Sequence, residues 1–470
     1  MMALRERSAL RKRIAATFGI VGLFCGAASM AHAQAPVREC QLQYETTTGN
    51  TRTNAQKTPS GQYNFFQGGG VTYHCAGQDN TLQADSAEYY GDQKVLYLIG
   101  SVHYTEPRVK VDSDRMTYYQ IEDRIRAEGN VNVRTQTGTT IRGPLMDYFR
   151  VTTTRPLART IATGRPHMLI AQKQTGNERP EPVDVVSNTL VAEGDNLVYA
   201  SGSVEVTRPD LVSKSDSAFL DGQREFARLM KGPSVQSRKG RPFTLTGGVI
   251  DLYSRNRTLE RVVATPSGHV LSQDLELVAD SVDLRVRDNQ LQRVMAWGTK
   301  SRAHALTPER EVVADSIDAQ MPGQRLREFR AIGKAYANSI PDTTKFISKE
   351  RDWMRGDSVV AQFDSVAAGD TTSRPQAKKI IATGNASSFY QLAGSGTTKG
   401  EPNLNYVRGR IITVSFVNKA VDKVDVIDQA TGVYLEPSTN NAPPATRTGQ
   451  PAKSGTTQTT TPPTTRRRDP

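Results

Sequence analysis

The residue types that most often carry chemistry are sparse in this 470-residue chain and poorly spaced for it. Past residue 33 the histidines are His74, His103, His167, His269 and His304, and none belongs to an H-E-x-x-H pair that would seat zinc on one helix face. Cys75 follows His74 directly, but adjacent residues of an extended chain point to opposite faces, so the two make a poor thiol–imidazole pair. The sequence contains no G-x-S-x-G elbow for a serine nucleophile and no G-x-x-x-x-G-K-[ST] loop for a nucleotide. Aspartates recur at one position of a repeat (Asp85, Asp114, Asp216, Asp280, Asp315, Asp357). A calcium or catalytic ladder needs its carboxylate at every step, and Pro144, Gly248 and Arg410 replace it in other copies. The expectation is a protein that is not an enzyme, uses no cofactor or metal, and binds no nucleic acid.

What the chain does have is an address and a rhythm. Arg5, Arg7, Arg11, Lys12 and Arg13 precede an apolar run from Ile14 to about Ala28, and Ala31-His32-Ala33 closes it. A basic end, a short apolar segment and a small-x-small site read as a cleavable export signal over residues 1–33. The net charge of +12 falls on its removal, but the remainder stays basic. With a mean hydropathy of −0.52, no later stretch is long and apolar enough to span a bilayer. The signal predicts a periplasmic protein, with association at the outer membrane as a second placement. Export also sets the redox context: Cys40 and Cys75 are expected to form one disulfide, with two buried thiols as the alternative.

Two short motifs alternate from Asp85 to Arg410. The first reads LQADSAEYY at Leu82 and returns as VDSDRMTYY at Val111, IRGPLMDYF at Ile141 and VADSVDLRV at Val278. The second ends in glycine and usually a β-branched residue, as in LYLIGSV at Leu96 and IRAEGNV at Ile125. Inside each copy the beat is two: Leu96, Leu98, Val102 and Tyr104 share one parity, and Ile125, Val131 and Val133 share another. Strict alternation of this kind marks antiparallel strands with one face in a core and one in water. The recurring glycine marks a bulge or tight bend, and the aspartate is read as a bonding partner for backbone amides at a turn. From about Pro437 the chain turns to Pro, Thr, Ser and Gln and ends in Arg466-Arg467-Arg468, a composition expected to stay disordered.

Carried mainly by residues 82–166, this ordered alternation resembles the OstA-like family. That family includes the periplasmic lipopolysaccharide-transport bridge proteins and the N-terminal domain of their outer-membrane partner. The resemblance implies an all-β, elongated β-jellyroll of repeated short antiparallel strands, two facing sheets with an open seam whose apolar trough holds acyl chains. The chain is much longer than one bridge domain, which implies two or three consecutive lengths: 34–175, 176–338 and 339–437, followed by the tail 438–470. The implied function is to carry lipopolysaccharide, or a similar acylated lipid, towards the outer membrane. The implied partners are other bridge proteins, added strand to strand at the sheet ends, and an outer-membrane assembly protein. The residues expected to line the groove are Leu96, Leu98, Val102, Tyr104, Met116, Tyr118, Ile125, Val131, Val133, Met146 and Tyr148. The alternative reading is a β-solenoid adhesin or surface-assembly protein, which would have parallel strands and a closed dry core.

Overall fold

The computed structural model describes residues 40–45, 51–171, 181–238, 242–256, 258–272, 275–341, 343–344, 346–364, 375–394, 400–417 and 420–437. The proposed signal, the boundary at 175/176 and the C-terminal tail lie outside them. The described residues form one compact unit. Among the described residues there are 32 strands, paired antiparallel. The single helical element among the described residues is a 3₁₀ turn at Pro322–Gln324. The chain is all-β, as its two-residue beat requires.

The sheet is folded over on itself. The strand Val95–Glu106 shifts register between Ile99 and Val102, and Arg124–Thr135 does so between Glu128 and Val131. Each such strand therefore gives its first half to one wall and its second half to the other. Elsewhere the strand breaks at the bend, as at Arg159–Thr163 and His167–Ile170, and the two pieces still continue separate ladders. One wall runs from Arg52–Lys57 to Ala420–Ile427, and the other from Leu42–Glu45 to Thr431–Leu435. Both walls cross the described boundary at 338/339 without a break, because Glu328–Ser339 pairs along its length with Asp352–Phe363.

The two sequence motifs turn out to be the two sides of one corner. Gly129 has φ +74° and Asn130 φ +45°, a conformation that leaves an extra residue outside the ladder and bends the strand. A side chain on Gly129 would run into the Asp114 carboxylate of the neighbouring strand, and Gly100 stands in the same relation to Asp85. Asn130 Nδ2 in turn donates to Asp114 Oδ2 at 2.9 Å. The same facing pairs are Asp315 with Gly333 and Asp357 with Gly384, while Pro144 with Gly164 and Asn188 with Gly202 fill the role without a carboxylate. The row of aspartates is thus a packing feature of the bend. Among these, Asp280 is the one seen bonding backbone amides, those of Thr299, Lys300 and Ser301. These bonds hold its carboxyl well below the usual carboxylate range.

This corner gives a direct test. Gly129→Val combines a positive φ with a steric clash and should cost about 1–3 kcal/mol of stability, read as a lower urea midpoint. Adding Asp114→Ala, which removes the atoms the new side chain meets, should return part of that loss. A Gly129→Val protein as stable as the parent would contradict the corner.

Inward side chains form a single apolar core that runs from Cys40 to Val414. The outward faces carry cross-strand ion pairs, with Arg228 bidentate to Asp251 at 2.7 and 2.8 Å and Arg293 to Asp318 at 2.7 and 2.7 Å. Such pairs hold register more than they add stability.

Candidate functional site

Opposite the row of bends, each wall ends in a row of hairpin turns, and the line between these rows is the seam of the fold. Whether the interior can take a ligand depends on how far apart the rows stand. In the first strands they are together. Leu96, Leu98, Val102, Tyr104, Met116, Tyr118, Ile125, Val131 and Met146 are buried in the continuous core, none more than 3% exposed. Val133 and Tyr148 belong to the same core and also line a cavity farther along the seam.

The closed stretch is held by an ionic cluster between the two rows. Arg150 lies just past the strand Thr140–Phe149, with its side chain 11% exposed. Its Nη1 donates to Asp123 Oδ1 at 2.9 Å, its Nε to Glu106 Oε2 at 3.3 Å, and its Nη2 to Gln78 Oε1 at 2.7 Å. Three buried phenols complete the cluster. Tyr104 donates to Glu106 at 2.7 Å, Tyr118 donates to Asp123 at 2.6 Å, and the Tyr148 hydroxyl donates to Glu106 Oε1. Tyr118, Asp123, Tyr148 and Arg150 come from one wall, and Tyr104, Glu106 and Gln78 from the other. Burial, followed by the neighbouring carboxylates, pushes the Tyr118 and Tyr148 hydroxyls up, so both stay protonated as donors. Burial alone would lower the Arg150 pKa, but the surrounding phenols and carboxylates, Tyr104 and Asp123 foremost, outweigh it and hold the guanidinium charged.

The disulfide adjoins this cluster. Cys40 and Cys75 are bonded with their Cα atoms 4.9 Å apart, which ties the start of the described chain to the strand Tyr63–Cys75. Arg150 Nη1 lies 3.6 Å from Cys75 Sγ, and Gln120 Nε2 donates to the Cys40 carbonyl at 2.8 Å. The disulfide lies within one wall and abuts the ionic link that crosses the seam.

Beyond Arg150 the rows part. A cavity of about 250 Å³ opens between the walls. Its floor includes Ile141, Met168, Val206, Leu211, Leu229 and Leu252, all 6% exposed or less. Ile170 and Val183, paired across the ladder, sit half-buried on its side. Polar residues of both signs rim the mouth, among them Arg108, Asp195, Arg208 and Glu225. Arg208 spans the gap at the far end, donating from Nη1 to Ser254 Oγ at 3.3 Å while its Nε holds Asp210 at 3.0 Å. An apolar floor under a mixed polar rim suits an elongated amphipathic ligand.

The residues expected from the sequence to line a groove lie on the inner face, and two of them, Val133 and Tyr148, reach the cavity. The signal for the later stretch was present, since Val198, Ala200, Val204 and Val206 keep the same alternation. The histidines do not converge. Each meets its own carboxylate: His103 with Asp112 at 2.8 Å, His269 with Glu276 at 3.0 Å, His304 with Glu311 at 2.9 Å, His74 with Glu45 at 3.3 Å and His167 with Asp184 at 4.0 Å. Among the described residues no group of three or more potential ligands could hold a metal ion, and no helix is long and apolar enough to cross a membrane.

Residues 55–163 match the family model for lipopolysaccharide-assembly, LptC-related proteins. The match spans the sealed part of the seam and ends with the strand Arg159–Thr163 at the edge of the cavity. This is a family of transport-bridge proteins and not of enzymes. No curated protein matches the chain.

Proposed function

We propose that the chain is a periplasmic lipid-binding scaffold that carries lipopolysaccharide, or a related acylated lipid, between its two walls during outer-membrane biogenesis. The observation that carries this reading is the 250 Å³ apolar cavity open to the seam, in a chain whose first strands match a lipopolysaccharide-assembly family. At about 30 Å³ per water-sized group, the space takes roughly eight such groups, part of one acyl chain. Burying about eight methylenes is worth roughly 6 kcal/mol, enough to hold a chain and small enough to release it. The eleven residues from Leu96 to Tyr148 named from the sequence form the inner wall of this conduit, with Val133 and Tyr148 at its open stretch.

The ends fit assembly by strand addition. The edge strands Arg52–Lys57 and Thr431–Leu435 are exposed along their length, and Val433, Tyr434 and Leu435 present apolar side chains there. Unpaired edges of this kind accept another strand, here from bridge proteins and an outer-membrane assembly protein. The adhesin alternative requires the parallel ladders of a solenoid. Against it, the strand pairs here are antiparallel, and the parallel contact seen is the isolated bridge Phe346–Gly400.

Mass spectrometry of lipid co-purifying with the mature protein from a native periplasm tests the reading. Acylated lipid should be present in the parent and fall about tenfold in Ile170→Asp or Val183→Asp, which put a carboxylate on the half-buried side of the cavity. A lipid-free parent, or folded variants that load as the parent does, would exclude this function.

A further inference from the structure

The interior is divided, and the divider is polar. On one side of Arg150 the inner wall is packed, with Leu96, Leu98, Met116 and Ile125 at most 1% exposed; on the other lies the open cavity. Tyr148 belongs to both, because it lines the cavity while its hydroxyl is bound to Glu106 in the ionic cluster. Building on the lipid reading above, we infer that the Arg150 cluster is a gate: cargo enters sideways through the mouth beyond Arg150, and reaches the strands before it only when the cluster opens.

Three features carry this. First, the hydrogen bonds that cross between the two hairpin rows run from Arg150 to Glu106 and Gln78 and from Tyr148 to Glu106, while Asp123, Tyr118 and Tyr104 hold these groups from within their own walls. An apolar seal loses its burial on opening and regains nothing, whereas separated charges and phenols are rehydrated, so a polar seal opens at a smaller net cost. Second, the contact through Tyr148 links occupancy to the seal. A chain pressed against the ring shifts the hydroxyl off Glu106, and a ligand moves such an equilibrium only through a contact that differs between the two states. Third, the cluster carries one guanidinium against two carboxylates, so loss of one neutral donor leaves a surplus of buried negative charge that favours opening.

The test uses the full mature chain and a lauroyl lysophospholipid with a photoreactive diazirine at the chain end, with labelled sites mapped by mass spectrometry. In the parent, label should fall on the 168–229 segment and be low on 96–125. In Tyr148→Phe and in Tyr118→Phe, each of which removes one neutral donor and keeps the ring, label on 96–125 should rise roughly tenfold, the factor carried by a lost hydrogen bond to a charged group. If Tyr118→Phe does not fold, Tyr148→Phe decides alone. Equal labelling of both segments in the parent, or a folded variant with the parent's pattern, overturns the gate and leaves the lipid reading standing. No label on either segment in any protein overturns the lipid reading and the gate together.

Discussion

Arg150→Ala is expected to cost about 3–5 kcal/mol of unfolding free energy, the penalty for removing one partner from a buried ionic group. The side chains left behind, Glu106 and Asp123, are 13% and 9% exposed and lose their shared cation. Two variants separate loss of charge balance from loss of volume. Arg150→Met alone keeps much of the bulk and should remain strongly destabilised. Arg150→Met combined with Glu106→Gln and Asp123→Asn removes the stranded charges and should regain most of the loss, since a buried ionic cluster is close to break-even against neutral groups of similar shape. Urea denaturation at neutral pH measures all three. A fall of less than about 1 kcal/mol for Arg150→Ala, the range of an exposed ion pair, would mean that the cluster is not buried as described.

Cys40→Ala with Cys75→Ala should be nearly as severe. The bond closes a separation of 35 residues, and the chain-entropy relation for a loop of that size gives about 3–4 kcal/mol. The loss should also appear on treating the parent with reductant, without any change of sequence. Because Cys75 lies against Arg150, the disulfide and the ionic cluster should not act independently. Removing both should cost less than the sum of the separate losses, as expected for groups in contact. Strict additivity would show that the two act independently.

The fold was largely legible because its signal is local. A beat of two, a glycine at a fixed phase and turns at both ends are enough to give antiparallel strands with a defined inner face, and Leu96, Leu98, Ile125 and Val131 point where their parity says. The distance between the walls was not legible. Alternation tells which side chains face inward but is the same for a packed core and an open groove. The decisive residue, Arg150, follows Phe149 as an ordinary polar residue at a strand end. Its burial comes from Gln78, Glu106 and Asp123, 72, 44 and 27 residues away. The aspartates misled for a related reason. Read along the chain they are separate from the glycines, whereas in space Asp114 and Gly129 meet across neighbouring strands, and a carboxylate is only one of several shapes that fit.

Because each bent strand serves both walls, the protein can change in length without redesign. Duplicating or deleting one antiparallel pair of bent strands adds or removes the same step on either side, keeps the pieces matched, and leaves the first and last strands as they were. Descendants of one ancestral sequence could therefore differ in span while keeping the same couplings at their tips, and a short form could grow into a long one by ordinary tandem duplication.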